Sequence, residues 1–124
     1  MPNHFFSVED CPDPIGWVHE ALKLKNNPFK YKRLGINKTL GLIFFNESLR
    51  TRLSTIKAAQ NLGMETITFD VNKDGWQLET TDGRIMDENH VEHIREAAAV
   101  MGGYCDILGV RAFPTFLNKR EDYL

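Results

Sequence analysis

Six consecutive residues, Leu40-Gly41-Leu42-Ile43-Phe44-Phe45, carry no polar side chain and show no alternation. An unalternating apolar run of this length suits a strand covered on both faces, as in a parallel sheet. The next dozen residues narrow the choice. A short polar turn leads into Ser48-Leu49-Arg50-Thr51-Arg52, and a helical pattern continues to Leu62, with Gly63 as the stop. A buried strand turning sharply into a helix commits the chain to helices layered on a sheet.

The same alternation runs through the rest. Asp13-Pro14 is a cap and first-turn pair, and Ile15, Val18, Ala21, Leu22 and Leu24 follow at near-helical spacing until Asn26-Asn27-Pro28. β-Branched and aromatic residues predict a strand over 64–70. Ile94, Ala97, Ala98 and Met101 predict an amphipathic helix over 90–101, closed by Gly102-Gly103. A last buried strand is expected over 105–110, ending at Arg111. The expected fold is α/β, a three-layer arrangement with a parallel sheet flanked by helices and right-handed crossovers. With 124 residues and 42% hydrophobic content, one core and one domain over 1–124 are expected. Between the second and third helices, residues 71–89 lack periodicity and carry Gly75, Trp76 and Gly83. A loop this long in a compact domain is more often functional than idle.

Composition removes several function classes. A formal charge of -2 gives no bulk attraction for nucleic acid or anionic membranes. No apolar run approaches the roughly twenty residues of a membrane span. Met1-Pro2-Asn3-His4-Phe5-Phe6 lacks the basic-then-apolar order of a signal peptide, so a cytoplasmic protein is expected. Cys11 and Cys105 have no C-x-x-C partner, and Cys105 is expected buried and inert. His90 and His93 lack a third ligand nearby, so no metal is expected. Trp17 shares helical spacing with Ala21 and reads as core packing or a domain contact, and Lys30, Lys32 and Arg33 as a solvated connection.

Ligands of parallel sheets bind beyond the carboxyl ends of the strands. Ser48-Arg52 and Arg111 both fall at that edge. A helix N-terminus carries unpaired N–H groups and a positive dipole end. Two hydroxyls and a guanidinium placed there make a phosphate cradle without a glycine-rich loop. The plainer reading is that Ser48 only caps the helix while Arg50, Arg52 and Arg111 are solvated.

The segments 44–52, Asn61-Leu62-Gly63-Met64, Ala99-Val100-Met101-Gly102 and Gly109-Val110-Arg111 together resemble the aspartate/ornithine carbamoyltransferase family, in order and over nearly the whole chain. The likeness is to the carbamoyl-phosphate domain, and within the family to the N-succinylornithine and N-acetylornithine carbamoyltransferases. Those enzymes have a tryptophan-bearing loop, matched by 74–79, together with Ile85-Met86-Asp87 and Val110-Arg111-Ala112-Phe113. The resemblance implies that Ser48, the Leu49 N–H, Arg50 and Thr51 hold the phosphate of carbamoyl phosphate and that Arg111 reaches the carbamoyl oxygen. It implies Arg50 and Arg111 as catalytic residues, no cofactor, and a homotrimer in which Trp76 enters the neighbouring subunit's site.

Where acetyl-specific relatives have a glutamate, Val91 stands here, so N-succinyl-L-ornithine is the expected acceptor, with N-acetylornithine or ornithine as alternatives. The chain also departs from the family pattern. Ser54-Thr55-Ile56 lacks the usual glutamate, so Arg52 loses an acidic neighbour, and Glu47 replaces a common proline. A second, amino-acid-binding domain is absent up to Leu124, so the isolated chain is expected not to catalyse. A non-catalytic phosphate-binding module and a shortened structural fragment are the rival classes.

Overall fold

The computed structural model describes residues 4–71, 73, 78–79 and 92–113. Helix α1 spans Pro14–Asn26 and is capped by Asp13, whose carboxylate accepts the Gly16 N–H at 2.9 Å. Strand β1 spans Thr39–Phe44, helix α2 Leu49–Leu62 and strand β2 Glu65–Asp70. Two-residue strands β3 (Leu78–Glu79) and β4 (Glu92–His93) pair in parallel, and helix α3 (Ile94–Tyr104) leads to β5 (Ile107–Arg111). The main sheet is parallel with order β2-β1-β5, so the unbroken apolar run is its central strand.

Both faces of β1 are covered, which is why its residues do not alternate in polarity. Ile43 clusters with Val71 and with Ala97 of α3, and Phe45, Phe69 and Met101 pack around them. Phe44 points to the opposite face, where the Arg52 guanidinium of α2 lies over its ring at 4.7 Å. The layers are therefore α3, sheet and α2. Gly63 ends α2 at φ 83°, and a Cβ there would fall 2.2 Å from the Lys32 carbonyl oxygen. Glycine is required on both counts.

Four local expectations are corrected. Helix α3 begins at Ile94 and runs through Gly102 and Gly103 to Tyr104 rather than closing at them. Neither glycine has a positive φ, so nothing in their backbone breaks the helix. Strand β5 starts at Ile107; just before it the Asp106 carboxylate accepts from Lys38 and from the Thr39 N–H, and the Asp106 N–H donates to the Thr39 carbonyl. Cys105 is half-buried rather than buried. Helix α1 buries none of its residues, so the core-packing reading of Trp17 falls while that of a domain contact is untouched; the indole is half-exposed and tilts against the Phe5 ring at 5.6 Å. Among the described residues no helix is long and apolar enough to cross a membrane, and no cluster of side chains could hold a metal ion.

Candidate functional site

Past the end of β1 the chain turns through Phe45, Asn46 and Glu47 and re-enters helix at Leu49. Ser48 is the N-cap: its backbone is extended, and its Oγ accepts the Thr51 N–H at 3.3 Å. The first-turn amides of α2 have no intrahelical acceptor, and the positive end of the helix dipole lies at this edge of the sheet.

Strand β5 delivers Arg111 to the same edge. Arg111 pairs in register with Phe44, and its carbonyl accepts the Phe45 N–H at 2.9 Å. Its Nη1 donates to Thr51 Oγ1 at 2.8 Å, joining residues sixty apart in sequence. Because that oxygen accepts from Arg111, the hydroxyl proton of Thr51 is left to point at another acceptor. The Arg111 guanidinium lies 4.4 Å from the centre of the Phe113 ring, a cation–π distance. Its Nε is buried and has no acceptor among the described residues.

Charges at this edge sort into compensated and uncompensated. Arg52 is paired with Asp70 of β2, which supplies the acid that the Ser54-Thr55-Ile56 sequence lacks. Lys73 pairs with Glu47 at 2.5 Å, and Glu47 raises the lysine pKa. These two pairs line a depression of about 200 Å³ with Ser48 and Leu49. Arg111 instead has a neutral hydroxyl and a ring as partners, and exposed Arg50 has no ion-pair partner among the described residues. An anion is drawn to the uncompensated pair and the helix end, not to the neutralised depression. A more apolar cleft of about 180 Å³ lies between β1, β2 and α3, lined by Ile67, Phe69, Met101, Tyr104 and Leu108 among others. Among the described residues no charged side chain lines it, so they offer nothing there to a phosphate.

Ser48, Thr51 and Arg111 are thus brought together, and Leu49 and Arg50 stand on the first turn beside them. Trp76 and Val91 lie outside the described residues. Nothing in the sequence singles out Asp70 or Lys73, and Asn46 and Phe113 fall within the segments that carry the family resemblance without being given a role there. Asn46 Oδ1 accepts the Phe113 N–H at 2.7 Å. The Phe44–Arg111 pairing, carried on two residues in each strand, sets 46 beside 113, so this contact is readable only once the strand register is known.

A phosphate-ready helix N-terminus with an arginine reaching it from a neighbouring parallel strand defines an anion-binding α/β domain. The family model for the aspartate/ornithine carbamoyltransferase carbamoyl-P binding domain matches residues 3–123, and the chain belongs to that family. It is 54% identical over 119 residues to the N-succinylornithine carbamoyltransferase of Bacteroides fragilis (strain 638R), covering 96% of this chain and 37% of that protein. It is 39% identical over 124 residues to the N-acetylornithine carbamoyltransferase of Xylella fastidiosa (strain Temecula1), covering 96% of this chain and 35% of the relative. Among solved structures, it superposes with a TM-score of 0.80 and 35% identity on a glutamate-to-valine mutant of N-acetyl-L-ornithine transcarbamylase complexed with carbamyl phosphate and N-succinyl-L-norvaline. That match covers 98% of this chain and 37% of the other. The chain therefore spans a little over a third of the length of these relatives.

Proposed function

We propose that this chain is the carbamoyl-phosphate-binding half of a carbamoyltransferase that acts on N-succinyl-L-ornithine in arginine biosynthesis. The observation that carries the reading is the Arg111–Thr51 hydrogen bond, which closes one anion-ready edge from two distant segments. In the reaction the neutral side-chain amine attacks the carbamoyl carbon. A C–N bond forms, the C–O bond to phosphate breaks, phosphate leaves with the electron pair, and the amine's proton passes to the departing phosphate.

Negative charge grows on the carbamoyl oxygen and on the leaving phosphate. Ser48, the Leu49 N–H, Arg50 and Thr51 hold the phosphate, and the Thr51 proton left over by its bond to Arg111 serves that purpose. Arg111 takes the carbamoyl oxygen. Preplaced donors of this kind are each worth about 2.7–4 kcal/mol of transition-state stabilisation. The chemistry asks for no metal, cofactor or covalent nucleophile.

Val91 supports the succinyl group as the acceptor's acyl substituent. Mutants of the acetylornithine enzyme with valine, serine, proline or alanine in place of one glutamate are complexed with N-succinyl-L-norvaline. A carboxylate facing the succinyl carboxylate is repulsive, and an uncharged valine is not. The proposed enzyme is a cytoplasmic homotrimer, with the loop bearing Trp76 reaching the neighbouring subunit.

The test is carbamoylation by the complete enzyme offered N-succinyl- and N-acetyl-L-ornithine separately. The succinyl compound is expected to give the higher kcat/KM, and Arg50→Ala is expected to lower turnover by at least about a hundredfold. Preference for the acetyl compound would overturn the acceptor assignment. Near-normal turnover by Arg50→Ala would overturn the site.

A further inference from the structure

We propose that Asn46 is a positioning residue, holding Arg111 in its working orientation through Phe113; the inference rests on the carbamoyltransferase reading of the same site. Arg111 has no carboxylate to fix its plane: among the described residues its partners are the Thr51 hydroxyl and the face of Phe113, and its Nε has no acceptor. A guanidinium held by one hydrogen bond can swivel about that bond. The Phe113 ring stops the swivel by lying against it, so the orientation of Arg111 depends on what fixes Phe113.

Phe113 follows the end of β5 and is itself 56% exposed, so among the described residues no surrounding core pins it. Its backbone N–H is held by Asn46 Oδ1 at 2.7 Å, a short bond for an amide donor. Asn46 stands two residues past β1, whose register with β5 is set by the sheet. The chain of support therefore runs from the central strand, through the Asn46 side chain, to the Phe113 backbone, its ring and the guanidinium. Without that tether the Phe113 backbone loses its hold on the turn after β1, and the ring shifts with it.

Kinetics of the complete enzyme test this. Asn46→Ala removes the acceptor and is expected to lower kcat roughly ten- to a hundredfold, the cost of a small misplacement of a reacting group, with a smaller change in the KM for carbamoyl phosphate. Asn46→Asp keeps an oxygen at the same place and is expected to restore kcat. Its added negative charge beside the anion site raises that KM instead. Because Asn46 acts through Phe113, adding Asn46→Ala to Phe113→Ala should cause little further loss of kcat.

The proposal is overturned if Asn46→Ala keeps kcat within about twofold of the parent while Arg111→Ala is inactive, or if the losses from Asn46→Ala and Phe113→Ala multiply. If Arg111→Ala itself turns over normally, the underlying site reading fails, and the role of Asn46 fails with it.

Discussion

Arg50, Arg52, Lys73 and Arg111 gather at one edge of the sheet, and their partners divide them by task. Arg52 is structural: it bridges α2 to Asp70 of β2 and covers the Phe44 ring from above. Replacing Asp70 by Asn or Arg52 by Met should each destabilise the fold by about 1.5–3 kcal/mol, the range for hydrogen bonds to charged groups. The double variant should cost less than the sum, because both remove the same bond. Urea denaturation checks this; strictly additive losses would show that the two residues act separately. The SxRTR stretch announces an anion site, but the sequence cannot say which arginine is spent on structure. The acid that settles it, Asp70, lies eighteen residues away at the end of β2.

Elements are largely readable where burial is one-sided or complete. Helix α2 has its start and stop written into Ser48 and Gly63, and β1 its central place in the unbroken apolar run. Helix α3 departs from its expected span at both ends, since paired glycines signal a stop only where one of them takes a left-handed backbone. That difference predicts opposite effects of one substitution. Gly63→Ala should destabilise by about 1–3 kcal/mol, as strain at φ 83° adds to the clash with the Lys32 carbonyl. Gly102→Ala and Gly103→Ala meet nothing within 4 Å and sit inside a helix, so each should stabilise by about 0.4–1 kcal/mol. Thermal melts of the three variants decide; a loss of stability at Gly102 or Gly103 would mean that α3 is not continuous through them. At Ser48, an alanine should remove about 1 kcal/mol of capping and weaken phosphate binding as well.

For the molecule as a whole, acid acts on two exposed ion pairs that fasten its margins. Glu20 of α1 accepts from Lys30 and Tyr31, and these hydrogen bonds, Lys30 foremost, lower its pKa to about 2. Asp106, just before β5, is lowered by Lys38 and then by the Thr39 N–H. A carboxylate whose folded pKa is depressed stabilises the fold fully above its unfolded value and loses that contribution as pH falls through the folded one. Stability should therefore hold above about pH 5 and decline below it, toward pH 2 for the Glu20 contribution. Glu20→Gln and Asp106→Asn should flatten the decline, which urea midpoints taken from neutral to strongly acid pH would reveal. A decline that is equally steep in both variants would locate the acid sensitivity elsewhere.

At the same scale, α1 buries no residue and exposes Ile15, Val18 and Leu22, while the chain spans only a little over a third of the relatives' length. The helical spacing in α1 is legible; the exposure of its apolar stripe is not, because spacing marks a face without saying what lies against it. The convergence of Ser48, Thr51 and Arg111 is legible because a parallel sheet gathers its ligand groups at one edge. A crystal structure of the complete enzyme with carbamoyl phosphate bound would bear on all of this at once. The phosphate should lie within hydrogen-bond reach of Ser48 Oγ, Arg50 and Thr51, with the carbamoyl oxygen on the Arg111 guanidinium. Carbamoyl phosphate bound away from that edge, or with Arg50 and Arg111 turned to separate faces, would contradict it.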